Sequence, residues 1–237
     1  MTAADSAPGY FSHARTEIEP LLPPAPSRVI EIGCGDGSTM AWLKSVRSPN
    51  YTAAVELVPA AAERARAVFD EVEVSSVDTA SFAFREPRFD LALALDVLEH
   101  LAAPDQMVRR LHTMLEPGGV VIASLPNIAH FSVSWPLLWR GRWDYQAEGL
   151  LDRTHMRFFT EPTIRALFTE NGFTNIEIRR NWLYPNIFAL FGLRDQRWRW
   201  YSEKLLRPWL RFPRHLFVVQ VLLSAQRAPD ERPTPPT

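Results

Sequence analysis

Apolar positions along the chain follow two alternating rhythms: short β-branched or aliphatic runs, and longer stretches with apolar residues three and four apart. The runs at 28–32, 51–56, 71–75, 89–95 and 119–124 read as strands. Between them, 38–47, 59–69 and 104–115 read as helices, the last closed by Pro117, Gly118 and Gly119. Upstream, 10–22 reads as a helix stopped by Pro23 and Pro24. Strands that alternate with helices predict an α/β fold, a parallel sheet with helices on both faces.

After position 127 the rhythm breaks. Residues 127–159 carry Trp135, Trp139, Trp143 and Tyr145 with Pro136 and Gly141, and do not read as another strand and helix. Order returns with a helix at 161–171, stopped by Gly172, and a strand at 174–180. A last strand at 215–225 follows a long segment rich in arginine and tryptophan.

Composition changes this picture in one respect. The chain has 237 residues, enough for one domain with a sizeable core, and a net charge of -1. That near-neutral total hides an asymmetry: residues 1–127 hold 17 acids against 10 basic residues, and the remainder 10 against 16. Seven of the eight tryptophans also lie beyond position 130, so the acidic half is plain and the basic half aromatic. The single cysteine, Cys34, cannot form an intramolecular disulfide or anchor a cysteine-based zinc site, and no metal is expected. The N-terminus lacks the basic start and apolar core of a secretory signal, and no apolar run approaches the ~20 residues of a membrane span. A cytoplasmic protein is expected, open to peripheral contact with the inner face of a membrane. Residues 228–237, rich in proline, are expected to be a disordered tail.

The chemistry starts at Gly33, Gly35 and Gly37, between the first strand and a helix beginning near Ser38. In open α/β sheets ligands bind at such strand ends, and glycines let the backbone come close to them. Ser38 breaks the dinucleotide pattern G-x-G-x-x-G, and no Lys-Ser or Lys-Thr follows for a nucleotide phosphate loop. Glu31 and Asp36 flank the glycines, and carboxylates suit a cationic ligand while repelling a pyrophosphate. Further acids stand in order at the ends of later strands. Glu56 is placed to accept both ribose hydroxyls of a nucleoside. Asp78 follows the third strand, and Asp96 ends the fourth, with Glu99 and His100 a turn later.

Glu31-Ile32-Gly33-Cys34-Gly35-Asp36-Gly37 resembles the first motif of the class I S-adenosylmethionine-dependent methyltransferases. The resemblance covers 28–127 strongly and the last two strands less specifically. It implies a Rossmann-like three-layer α/β/α sandwich with a seven-stranded, mostly parallel sheet and an antiparallel last strand. It also implies S-adenosylmethionine as cofactor and S-adenosylhomocysteine as product. The cofactor site would comprise Glu31, Gly33, Gly35, Gly37, Glu56, Leu57, Val77, Asp78, Asp96 and Val97, with Asp78 at the adenine amino group and Val77 against its ring.

Residues 150–173 look like the segment of small-molecule O-methyltransferases related to ubiquinone-biosynthetic and saccharide methyltransferases, in which a histidine precedes the penultimate helix. His155 is the candidate base for a hydroxyl acceptor, and Asp152 its orienting partner or a second candidate. Arg153 and Arg157 would clamp an anionic acceptor, and Trp135 and Trp139 would line its site. The expected acceptor is a hydroxyl on a saccharide, nucleotide-sugar or related metabolite. The alternatives are N- or C-methylation of another metabolite or a quinone-like lipid, and a non-catalytic protein on the same fold.

The expected organisation is one methyltransferase domain over 1–227. It comprises an N-terminal helix and linker at 1–27, a cofactor core at 28–127, an aromatic acceptor-side insertion at 128–160 and a basic aromatic segment at 182–214. That segment fits a lid, a homodimer contact or a membrane contact. No nucleic-acid partner is expected, given the near-neutral charge and absent RNA-binding signatures.

Overall fold

A computed structural model describes residues 13–183, 200, 201, 204 and 214–228. Seven strands, β1 (Arg28–Ile32), β2 (Tyr51–Glu56), β3 (Glu71–Val74), β4 (Phe89–Leu95), β5 (Leu115–Pro126), β6 (Phe173–Trp182) and β7 (Val218–Arg227), form one sheet in the order β3-β2-β1-β4-β5-β7-β6. Strands β1 to β5 pair in parallel, whereas β7 runs antiparallel to both of its neighbours, β5 and β6.

The sheet is accompanied by the α-helices α1 (Ser38–Arg47), α2 (Pro59–Ala65), α3 (Pro104–Met114), α4 (Phe131–Arg140) and α5 (Glu161–Thr169). Alternate residues of each central strand enter different cores, which is what a strand period of two requires of a sheet covered on both sides. Ile30, Ile32, Ala53, Val55, Ala92, Ala94, Val121 and Ala123 pack with Val108 and Leu111 of α3 and Ile164 and Phe168 of α5. Val29, Ala54, Leu91, Leu93 and Ile122 face the other way, with Met40 and Leu43 of α1, Ala65 of α2, and Ile18 and Leu21 of the N-terminal segment. The three-layer sandwich expected from the sequence is therefore present.

Differences from expectation have local causes. The described part of 10–22 contains a 3-10 helix, Thr16–Leu21, rather than an α-helix. Pro20 lies inside it and offers no N–H to an α-helical ladder. Strand β5 begins at Leu115, four residues before the expected start, because Leu115 already pairs with Phe89. The region 127–159 does contain a helix, α4, despite Pro136. Its N-cap is the fully buried His130, whose Nδ1 accepts from the backbone N–H of Ser132 while Nε2 donates to the carbonyl of Leu183 at 3.0 Å. Histidine is an unusual cap, so no start signal is visible in the sequence. Much of the basic aromatic segment 182–214 and most of the expected tail lie outside the described residues. Among the described residues no helix is long and apolar enough to cross a membrane.

The entry into β1 is held by one side chain. The carboxylate of Asp90 accepts from the backbone N–H groups of Ser27, at 2.9 and 3.0 Å, and Arg28, at 3.1 and 3.2 Å. Asp90→Ala removes this acceptor and is expected to lower unfolding stability by about 1–3 kcal/mol. The measurement is urea denaturation, and an unchanged midpoint would show that water replaces the carboxylate at no cost.

Candidate active site

Strand β1 delivers the glycine loop at its carboxyl end. Gly33 donates to the carbonyl of Val55 at 2.8 Å, fixing the loop to β2. Gly33, Gly35 and Gly37 all have positive φ, and Gly37 forms the left-handed N-cap of α1. A Cβ at Gly33 would stand 2.5 Å from Cγ2 of Val97, so the first glycine is required by both backbone conformation and space.

Glu56, at the end of β2, is buried and grips this loop. One carboxylate oxygen accepts from the backbone N–H of Gly35 and the other from that of Val58, each at 2.8 Å. Burial pushes its carboxyl above the ordinary range, and these hydrogen bonds oppose the shift. Glu31 is 2 % exposed, and its Oε2 has no hydrogen-bond partner. Burial first, and the nearby Glu56 second, push its carboxyl up to about 8, with Arg15 acting in the opposite direction. Asp36 instead serves the local chain, one oxygen accepting from the backbone N–H of Ser38 at 3.1 Å and from its hydroxyl at 2.6 Å. Cys34 is buried, and burial followed by the surrounding carboxylates raises its thiol pKa, which makes it a poor nucleophile.

The other expected cofactor residues follow the sheet order. Asp96 directly follows β4 and has φ of 55°. It accepts from the Ser124 hydroxyl and from Nε2 of Gln220, both at 2.8 Å, and pairs with Arg15. Val77 is buried, while Asp78 beyond β3 and Leu57 beyond β2 are exposed. Val97, buried, backs Gly33.

Arg15 carries no signal in the sequence. Its guanidinium binds Asp96, the Ser124 hydroxyl at 3.3 Å and Glu17 at 2.6 Å, bringing a cation from the N-terminal segment to the ends of β4 and β5. Its neighbour Glu17 does not mark it, because the partners that bring it to the strand ends, Asp96 and Ser124, are distant along the chain.

On the acceptor side, the loop before α5 folds onto the turn after β4. The Glu99 carbonyl accepts from the backbone N–H groups of Met156 at 2.8 Å and Arg157 at 3.0 Å. This brings His155 against His100, ring centroids 4.8 Å apart. His155 Nδ1 lies 3.3 Å from the Leu150 carbonyl, which can only accept, so Nδ1 carries the hydrogen and Nε2 the lone pair. His100 Nδ1 faces the Thr154 carbonyl at 3.3 Å and its hydroxyl at 3.0 Å, with the same consequence. Burial first, and then His100, lower the His155 pKa and favour its neutral form. Glu99 is 1 % exposed, with Oε2 unpartnered, and burial followed by Asp96 raises its pKa.

Asp152 is buried but is not hydrogen-bonded to the His155 ring; Oδ1 accepts from the backbone N–H and hydroxyl of Thr154, each at 2.7 Å. Its link to the histidines therefore runs through Thr154 to His100. Arg157 donates to the Ala102 carbonyl, and Arg153 is exposed. Trp135 and Trp139 lie together on α4, ring centroids 5.3 Å apart, and both are largely exposed. A different aromatic group adjoins His155. Phe158 sits 6.3 Å from its ring by centroids, and Phe158 in turn meets Trp143 edge-on at 5.1 Å and Tyr145 at 6.3 Å.

Comparisons with known proteins fit this layout. The chain matches the methyltransferase domain family over residues 8–178. It is 32% identical over 115 residues to a ubiquinone biosynthesis O-methyltransferase of Azotobacter vinelandii, covering 46% of this chain and 49% of the relative. A protein of the same description from Azorhizobium caulinodans is 30% identical over 150 residues, covering 57% of each chain. The chain thus spans about half the length of these curated relatives. Among solved structures, a SAM dependent methyltransferase from Archaeoglobus fulgidus superposes with a TM-score of 0.61 at 15% identity, covering 89% of this chain and 90% of that one. At that identity the likeness shows the fold.

Proposed function

The chain belongs to the methyltransferase domain family, and on that premise we propose that it transfers a methyl group from S-adenosylmethionine to a hydroxyl of a small aromatic acceptor. The observation that carries the cofactor half is the acidic glycine loop, where the buried Glu31 has an oxygen without a partner and Glu56 stands at the end of β2. The cofactor is a sulfonium amino acid whose methyl group leaves by in-line displacement when a nucleophile is aligned with it. Here Glu31 receives its ammonium group, Arg15 its carboxylate, and Glu56 its ribose hydroxyls. Asp78 and Val77 meet the adenine, with Leu57 and Val97 alongside.

His155 supplies the acceptor chemistry. Its neutral imidazole, with Nδ1 tied to Leu150, presents Nε2 to take a hydroxyl proton. A phenolic hydroxyl, with a pKa near 10, loses a proton to imidazole more readily than an aliphatic one. Phe158, Trp143 and Tyr145 provide ring faces and edges against which such an acceptor packs. These two arguments favour an aromatic hydroxyl over the saccharide expected from the sequence. The test is a labelled methyl donor offered to phenolic and saccharide acceptors side by side. Label on saccharides alone would overturn the choice of acceptor, and label on neither would remove support for methyl transfer.

The protonation of Glu31 gives a second check. With its pKa at about 8, Glu31 is mostly protonated in the free protein at pH 7, whereas an ammonium ion beside it favours the carboxylate. Binding of S-adenosylhomocysteine at pH 7 is therefore expected to release up to about one proton, visible as a dependence of the binding enthalpy on buffer ionisation enthalpy. The same shift acts on stability. Between the ordinary glutamate value and about 8 the native state holds a proton that the unfolded chain has released, so stability falls as pH rises through that window. Glu31→Gln is expected to remove both effects; wild-type binding without proton release would place the ammonium group elsewhere.

A further inference from the structure

Glu99, His100 and His155 bring three acceptors to one place. One ligating atom from each lies within 4.8 Å of the others. The carbonyls of Thr154 and Leu150 hold the Nδ1 hydrogens, so both imidazoles keep a lone pair on Nε2. The Glu99 carboxylate is 1 % exposed, and its Oε2 accepts no hydrogen bond. A buried carboxylate with one oxygen lacking a donor, clustered with two imidazoles that each keep an Nε2 lone pair, is an arrangement that a cation completes.

We propose that Glu99, His100 and His155 form a binding site for a divalent metal ion that engages the acceptor hydroxyl. This rests on the methyl-transfer reading for its role in catalysis, but the metal site itself does not. Two nitrogens and one oxygen suit zinc or manganese better than magnesium or calcium, which prefer oxygen donors. Three protein ligands with the remaining positions open are the pattern of a catalytic rather than a structural ion. Metal–ligand bonds of about 2.0–2.2 Å require the three groups to draw slightly closer than 4.8 Å.

The supporting shell is already built. Thr154 joins His100 to Asp152, and Leu150 orients His155, as second partners of metal-bound histidines do. A single cysteine excludes a cysteine-based zinc site but not one built from histidine and carboxylate, so the expected absence of a metal does not extend to this cluster. Glu99 and His100 are adjacent in sequence, but His155 joins them only through the fold.

An ion here lowers the pKa of an acceptor hydroxyl directly. The O–H bond breaks and its proton passes to solvent. The oxygen then forms the new C–O bond as the methyl–sulfur bond of S-adenosylmethionine breaks, and that electron pair stays on sulfur. This arrangement replaces the role of His155 as proton acceptor, since its single Nε2 lone pair then holds the cation and solvent takes the proton.

The experiment is equilibrium dialysis of the chelator-stripped full chain against zinc and, separately, manganese, with metal content measured directly. About one equivalent of either ion is expected in the wild type, with affinity at least 10-fold lower in His100→Ala, His155→Ala and Glu99→Gln. Visible absorption of the wild-type protein loaded with cobalt gives a readout independent of how the variants fold, and bands characteristic of nitrogen ligation are expected. Failure of the wild type to take up either ion, or retention of full affinity in all three variants, overturns the proposal. Calorimetry with S-adenosylhomocysteine on the stripped protein separates the two readings. Absent cofactor binding would sink the methyltransferase reading and leave a measured metal site standing.

Discussion

His155→Ala is expected to slow methyl transfer by roughly 100-fold or more while the affinity for S-adenosylhomocysteine stays within about twofold of wild type. The split follows from position. His155 lies on the loop preceding α5, whereas Glu31 and Glu56, the groups proposed to hold the cofactor, belong to β1 and β2. Removing the imidazole takes away Nε2 without touching the glycine loop. The rate loss is expected whether this nitrogen accepts the proton or holds a metal ion, and metal uptake decides between those roles. Single-turnover measurements with bound cofactor provide the rate, and calorimetry the affinity. A variant with wild-type rate would dismiss His155 from the chemistry, leaving His100 as the nearest imidazole.

The second large effect belongs to the glycine loop. Gly33→Ala is expected to weaken S-adenosylhomocysteine binding by at least about 10-fold, since a side chain at left-handed φ costs roughly 1–2 kcal/mol before any collision. Here there is also a collision: φ is 67°, and the new Cβ would meet Cγ2 of Val97 at 2.5 Å. Relief requires the loop or Val97 to move, and both border the proposed cofactor site. The Gly33→Ala/Val97→Ala double variant is expected to recover the part due to collision but not the part due to φ. Unaltered affinity in the single variant would mean that this backbone does not approach the ligand closely.

The legibility of the sequence differs between elements for physical reasons. Strands β1, β2 and β4 and helix α1 have the ends expected from the pattern, because a fully covered strand is a short apolar run and α1 is bounded by the glycine loop. Ends were less well marked where pairing or packing extends an element past its apolar run, as at Leu115, or where proline and an atypical cap obscure it, as in α4. The glycine loop and the acids Glu31, Glu56 and Asp96 are legible because each stands at the end of a strand or just beyond it, a local placement that the apolar runs mark. Arg15 is not. Its partner Asp96 is 81 positions away, and its importance depends on how the N-terminal segment crosses the sheet.

Residues close together along the chain specify the alternation of strands and helices, the glycine loop and the order of the acids. It takes the folded chain to bring Arg15 to Asp96, to bond the Asp152 carboxylate to Thr154 rather than to the His155 ring, and to gather Glu99, His100 and His155. Those placements follow from the strand order β3-β2-β1-β4-β5-β7-β6 and from the Glu99 carbonyl that holds the loop before α5. A periodic pattern records which face of an element is buried, but not which distant element covers it, and a site assembled from several elements depends on that second fact.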